Sequence, residues 1–185
     1  MELFDLYTAD RVRTGKTIVR GEDVPSGYYR IVVFVCVFDS EGRLLIQQRQ
    51  PFKPGWSNYW DVSVGGSAVS GENSQQAASR ELYEELGIRH DFTGERPFYT
   101  FYYEDGWADF YFLHMDVDPD SLFLQEEEVQ AAKYATKDEV LAMIDEGCFI
   151  PVEKGLISFL FHLGKGKRSI MTRGDDSAVP AKMGG

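Results

Sequence analysis

The sequence predicts an α/β sandwich, a mixed sheet held between helices. Tyr28–Phe38 (YYRIVVFVCVF) is a near-continuous β-branched and aromatic run, which reads as a strand buried on both faces. An amphipathic helical pattern ending at Leu86 interrupts the strand-like segments, and two more helical patterns close the chain.

In order, Met1–Arg20 has short alternating segments around Thr8-Ala-Asp and Thr14-Gly-Lys, the pattern of a β-hairpin or lead-in strand. Glu22–Gly27 is a loop before the long strand. Arg43–Arg49 (RLLIQQR) is a second strand after the Asp39–Gly42 turn. Its period of two sets Leu45 and Gln47 on one face, and Leu44 and Ile46 on the other. A loop holding Lys53 and two prolines follows. Asp61–Val64 is a short strand feeding a Gly65-Gly66 loop.

The central helix runs from about Glu72, with Ser70 or Gly71 as its N-cap, Glu72 in its first turn and Gly87 at its C-terminus. Phe98–Tyr103 and Trp107–Val117 flank Asp105-Gly106, a hairpin signal. Leu124–Glu128 is an acidic loop before a strand at Val129–Ala135. Thr136 and Glu139 form a capping box opening a helix to about Glu146. Pro151 opens a last helix through Leu163. Residues 1–164 are expected to form one domain with an N-terminal hairpin extension. The tail, 165–185, has little core-forming pattern and is expected to be loosely ordered or packed on a neighbouring chain.

With 185 residues, the chain is long enough for one domain with a substantial core. The net charge of −11 argues against long nucleic acid and anionic membrane as partners. Residues 1–53 carry eight Lys/Arg against seven Asp/Glu, so the acidic excess lies beyond them. No run of 18 apolar residues and no basic-then-apolar leader is present, which predicts a cytoplasmic protein. Cys36 and Cys148 lack metal-site spacing and read as free thiols.

On a wheel of about 100° per residue, Glu81, Glu84 and Glu85 share one face of the central helix. Ala78, Leu82 and Leu86 form an adjacent apolar stripe. Arg80 lies beside Glu84 and within reach of Glu72. A carboxylate cluster beside a core-facing stripe suits a hard cation, Mg2+ or Mn2+, although an acidic run is also what a solvated helix face looks like.

Gly66, Glu72, Arg80, Glu81, Leu82, Glu84, Glu85, Gly87 and Ile88 fill every fixed position of G-x5-E-x7-R-E-U-x-E-E-x-G-U, with U an aliphatic residue. A chance match to its seven specified residue types is rarer than about one in 10^8 per starting point. The chain thus resembles the Nudix hydrolase superfamily over roughly residues 2–163. That resemblance implies a Nudix-type α/β/α sandwich and metal-dependent hydrolysis of a diphosphate in a nucleoside diphosphate derivative or related small molecule.

The flanks (DLYTADRVRTGKTIVRG, LLIQQR, and Tyr59-Trp60-Asp61 before the glycines) resemble the branch that contains type I isopentenyl-diphosphate isomerases. Those isomerases need a cysteine and histidines that this chain lacks. Val64-Gly65-Gly66-Ser67 stands where Cys-Gly-His belongs, Arg30 stands near a ligand histidine's place, and no histidine precedes His90. Isomerase activity and a non-catalytic nucleotide-sensing module are the alternatives to hydrolysis.

By resemblance, Glu84 and Glu85 are metal ligands, the Gly66 carbonyl is a further ligand, and Glu81 is a ligand or the base for water. Arg80 and Glu72 orient the loop, and Gly87 closes the helix. Glu128, with Glu127, sits where some members take a base from a distant loop; Asp109 is a weaker candidate. Arg49, Lys53 and Arg30 are candidates for phosphate contacts, and Trp56, Tyr59, Trp60 and Tyr103 for stacking. The hairpin and the tail offer surfaces for a homodimer.

Overall fold

The computed structural model describes residues 2–165. The strands are β1 Leu3–Tyr7, β2 Arg13–Val19, β3 Arg30–Phe38, β4 Leu44–Arg49, β5 Trp60–Asp61, β6 Val64–Ser67, β7 Tyr99–Tyr103, β8 Gly106–His114 and β9 Val129–Ala135. The helices are α1 Ser74–Leu86, α2 Lys137–Asp145 and α3 Lys154–Gly164. A 3-10 turn at Pro119–Ser121, which the sequence reading did not anticipate, precedes β9.

β3 lies inside a sheet ordered β5-β4-β3-β8-β7, with β6 also on β3 and β9 also on β4. β3 and β8 run parallel, from Arg30 opposite Gly106 to Phe38 opposite His114. The other pairings are antiparallel, so the sheet is mixed as expected. A parallel pair needs a long crossover, and α1 lies within it.

Along β3 the partner changes. Val32–Val35 pair with β6, whereas Phe38 pairs with Leu44 of β4. The fully buried Ser63 hydroxyl spans the split, accepting from Val37 N at 2.8 Å and donating to Leu45 O. Two backbone groups that would otherwise be orphaned are thereby satisfied.

Alternation along the strands builds two cores. Val33, Val35, Val37 and Leu45 face Ala77, Ala78, Leu82 and Leu86 of α1. Cys36, Phe38, Leu44 and Ile46 face Val140 of α2 and Ile157, Leu160 and Phe161 of α3. Each fully buried leucine contributes about 2 kcal/mol, against a few tenths for each like-charge pair on the next helix face. Burial therefore wins, and α1 tolerates its acidic stripe. Among the described residues, no helix is long and apolar enough to cross a membrane.

Three of the boundaries that differ from the sequence reading bear on the site. The cap of α1 is Asn73, whose side chain accepts from Gln76 N while Gln76 Oε1 accepts from Asn73 N, both at 2.9 Å. Gly71 has φ +95°, outside helical space, and the Ser70 hydroxyl is spent on Asp5. Glu72 therefore precedes the helix. Gly65 and Gly66 are not a loop but part of β6, paired with β3. α3 begins at Lys154 rather than Pro151, because Ile150 N donates to Trp60 O and keeps the segment extended along β5.

β1 and β2 form a hairpin, in a separate two-stranded sheet with Phe4, Leu6 and Ile18 as its own small core. Its turn carries Arg11, which reaches Asp109 of β8 with both terminal nitrogens, at 3.0 and 2.6 Å. Asp109 is fully buried and also accepts from Ser74 and Thr100. Removing one partner of a buried pair leaves a bare charge. Arg11→Ala is expected to cost about 3 kcal/mol, read by urea denaturation.

The expected tail beyond Lys165 lies outside the described residues.

Candidate active site

Packing of Ala77, Ala78, Leu82 and Leu86 on the sheet fixes how α1 is rolled, and that roll decides the fate of each glutamate. Glu81 and Glu85 are buried, whereas Glu84 stays exposed. Glu81 lies directly over Gly66: a Cβ on that glycine would sit 2.0 Å from the Glu81 carboxyl carbon. The requirement for glycine at this position is thus steric, set by a carboxyl group fifteen residues further along the chain in a different element.

Arg80 is the hub. Its Nε and one terminal nitrogen donate to the two Glu72 oxygens at 2.8 and 2.9 Å. The same terminal nitrogen also reaches Ser67 O at 3.0 Å, and the other donates to Glu84 at 2.9 Å. Glu81 Oε1 lies 3.0 Å from that second nitrogen. One guanidinium thus ties the loop from β6 to the helix.

Burial pushes the Glu81 carboxyl up to about 7, although Arg80 pulls the other way. Burial and the neighbouring Glu81 raise Glu85 well above the usual carboxylate range. Gln47 opposes this by donating to Glu85 Oε2 at 2.7 Å.

Among the described residues, no three carboxyl, imidazole or thiol groups meet closely enough to form a ready-made ion cage. The donor chemistry nevertheless fits a hard cation. Of the two neighbouring buried carboxyls only Glu81 has a guanidinium beside it, and the buried Gln47 Oε1 beside Glu85 has no protein partner. Oxygen ligands and unbalanced negative charge are what Mg2+ or Mn2+ would meet.

The acidic loop is brought in by backbone contacts: Gln125 N donates to Glu85 O, and Glu128 N to Gln125 O. Glu128 is paired with Lys53, and its charge acts on Glu85. These two residues, from distant loops, therefore meet. Arg49 ends β4 with a buried Nε that has no protein partner. Arg30 donates to Ser67 Oγ at 3.1 Å. Asp109 is placed elsewhere, behind the start of α1, with its oxygens taken by Arg11, Ser74 and Thr100.

On the opposite face of the sheet from α1 is a cavity of about 330 Å3, lined by Phe34, Phe110, Phe149 and Leu160. Arg30, Asp61 and Tyr103 also line it, the last with a buried hydroxyl lacking a protein partner. A depression of about 460 Å3 around Asp39 and His114 contains none of the site residues. Trp60 packs on the second core, under the Lys133 ammonium at 4.6 Å, and does not line the cavity. Trp56 is exposed in its loop, edge-on to Tyr59.

The model for the NUDIX domain matches residues 28–151, a span that holds the whole motif, Arg30, Arg49, Lys53 and Glu128.

The chain belongs to the Nudix family.

A Nudix hydrolase of Listeria monocytogenes, itself described as uncharacterized, is 48% identical over 151 residues, covering 82% of this chain and 89% of that protein. The crystal structure of DR0079 from Deinococcus radiodurans superposes with a TM-score of 0.70 at 27% identity, covering 85% of this chain and 98% of that one. An isopentenyl-diphosphate isomerase of Halobacterium salinarum is 39% identical over 56 residues, covering 30% of this chain and 26% of that protein. The resemblance to the isomerase branch thus has a counterpart, over a short stretch.

In this Nudix protein the sequence reading missed Gln47 and Asp61 as site neighbours. A glutamine at the end of an apolar strand face was the available signal for Gln47. Asp61, opposite Gln47 in register, had none. Burial lifts the Asp61 carboxyl from its ordinary 3.8 to about 6, with Arg49 pulling down. A carboxyl raised on folding gives up its proton in the unfolded chain first, so stability falls as pH climbs from about 4 through 6. Asp61 keeps some solvent contact, which discounts the full shift. Asp61→Asn is expected to stabilise the fold by about 2 kcal/mol at pH 8 and to leave it unchanged at pH 4, measured by thermal unfolding across pH.

Proposed function

We propose that this Nudix protein is a divalent-metal-dependent pyrophosphohydrolase that cleaves the diphosphate of a nucleoside diphosphate derivative or a related small molecule. The observation that carries the reading is the complete motif, with Glu81 and Glu85 buried on α1 and Glu81 lying against Gly66. Glu81, Glu84, Glu85 and the Gly66 carbonyl are the proposed ligands. Mg2+, or Mn2+ in its place, would offset charge on the attacking and leaving oxygens.

The remaining steps fall to the chain. Glu81 or Glu128 accepts the proton of the attacking water. Arg49 and Lys53 meet phosphate oxygens; Lys53 leaves Glu128 as it does so, which frees that carboxylate. Arg80 and Glu72 keep the loop and the helix in register. The non-phosphate part of the substrate enters the cavity beside Arg30, whose bond to Ser67 links that cavity to the motif loop. Apolar walls there exclude water. Free thiols at Cys36 and Cys148 support a reducing compartment, the cytoplasm.

The test is a panel of nucleoside di- and triphosphates, sugar nucleotides, dinucleotide polyphosphates and isopentenyl diphosphate, each incubated with Mg2+. Release of phosphate or a monophosphate that disappears in Glu84→Gln is the expected result. Retained turnover in that variant would move the chemistry elsewhere. Conversion of isopentenyl to dimethylallyl diphosphate would replace hydrolysis by isomerisation, and tight binding without turnover would make the protein a sensor.

A further inference from the structure

The hairpin of residues 3–19 lies outside the span that the family model matches, yet it holds the loop that enters the motif helix. Asp5 is buried, and both of its oxygens are used on that loop. Ser70 Oγ donates to Oδ1 at 2.7 Å and Gly71 N to Oδ2 at 2.9 Å. Arg13 from β2 sits 3.0 Å from the same Oδ2 and donates to the Glu72 carbonyl at 2.7 Å. Ser70 N donates to Leu3 O at 2.7 Å. Three successive loop residues are thereby bonded to the hairpin.

The next link is Glu72, whose carboxylate accepts twice from Arg80, and Arg80 in turn holds Glu84 and lies against Glu81. A groove of about 400 Å3 between the hairpin and α1, lined by Glu2, Val69, Arg80 and Glu84, places the two elements side by side. The turn, with Gly71 at φ +95°, has two bonds of its own, Glu72 N to Val69 O at 3.0 Å and Val69 N to Glu72 Oε2 at 3.1 Å, and the hairpin contacts seat it against the rest of the fold.

We infer that Asp5 and Arg13 are positioning residues for the motif: the hairpin clamps Ser70–Glu72 and so sets where Glu72 holds Arg80 and the α1 carboxylates. The kinetic consequence rests on the hydrolase reading; the structural one does not. Losing Asp5 removes the acceptors of Ser70 Oγ and Gly71 N and leaves Arg13 without its carboxylate, so the loop keeps only Leu3 O and an unanchored Arg13 as its ties to the hairpin and Glu72 is held less firmly.

The experiment compares Asp5→Ala and Asp5→Asn with the parent and with Lys16→Ala, a hairpin change at a residue bonded to Tyr28 and not to the loop. Three readouts are taken: the Arg80 Nε–H resonance without metal, Mn2+ affinity by water-proton relaxation, and kcat and KM on the best substrate of the panel. Asp5→Ala is expected to shift the Arg80 resonance, weaken Mn2+ binding about tenfold and lower kcat about tenfold with KM little changed. Asp5→Asn, with one acceptor oxygen left, falls between, and Lys16→Ala matches the parent.

Should Asp5→Ala lose its dispersed amide spectrum, the folded Asp5→Asn protein decides by the same readouts. Parent-like Arg80 resonance, Mn2+ affinity and kcat in a folded Asp5 variant overturn the inference. A parent that hydrolyses nothing overturns the hydrolase reading alone, and the resonance then decides the role of the hairpin.

Discussion

Glu85→Gln is expected to lower kcat for diphosphate cleavage by about 10^3-fold while leaving the metal-free fold at least as stable as the parent at pH 7. The two halves of this result have one cause. Glu85 is buried and sits beside Glu81, so its carboxylate is costly to keep charged, and burial is the largest reason its proton is held so firmly. Gln47 offsets part of that cost with a single hydrogen bond. A neutral amide of the same shape removes the cost and also removes the charge that a dication would need. A variant that is both less stable and fully active would show that Glu85 is a structural carboxylate, and would sink the assignment. Mn2+ titration of the variant separates lost metal affinity from lost chemistry.

Gly66→Ala is expected to keep the fold yet lower kcat by about 10^2-fold. The added methyl would overlap the Glu81 carboxyl carbon at 2.0 Å and an oxygen at the same distance. The overlapping atoms are the end of a side chain rather than backbone, so Glu81 can swing away and the strand pairing of β6 can survive. The cost in stability is that of one displaced, half-satisfied carboxyl, about 1–2 kcal/mol. The cost in function is larger, because Glu81 leaves its place over β6 and beside Arg80. Comparable losses in melting temperature and in kcat, moving together, would mean instead that the strand had collapsed.

Much of the fold was legible. The apolar runs of β3 and β8, the Leu44/Leu45 alternation, the Asp105-Gly106 hairpin and the Thr136–Glu139 capping box are local signals, and local physics decides them. The glutamate face of α1 was legible for the same reason. Boundaries set by a distant partner were not. Asn73 became the cap because Asp5, some 65 residues earlier, took the Ser70 hydroxyl. Ile150 stays extended because Trp60 offers it a carbonyl. The same holds for the site: Gln47 with Glu85, Lys53 with Glu128 and Arg11 with Asp109 are separated by 38, 75 and 98 residues. No spacing rule within one element reaches that far.

The ion pair between Arg11 and Asp109 also constrains the order in which the chain can be completed. On a ribosome the hairpin emerges before β8, and its anchoring carboxylate follows 98 residues later. Until β8 has been made and laid parallel on β3, Arg11 has no buried partner, and the hairpin is held only by its bonds to Tyr29 and to Ser70–Glu72. Non-local pairings of this kind are slow to close, and domains are completed in the order of synthesis. The Arg11 anchor, made long before β8, is therefore among the last contacts of the hairpin to close.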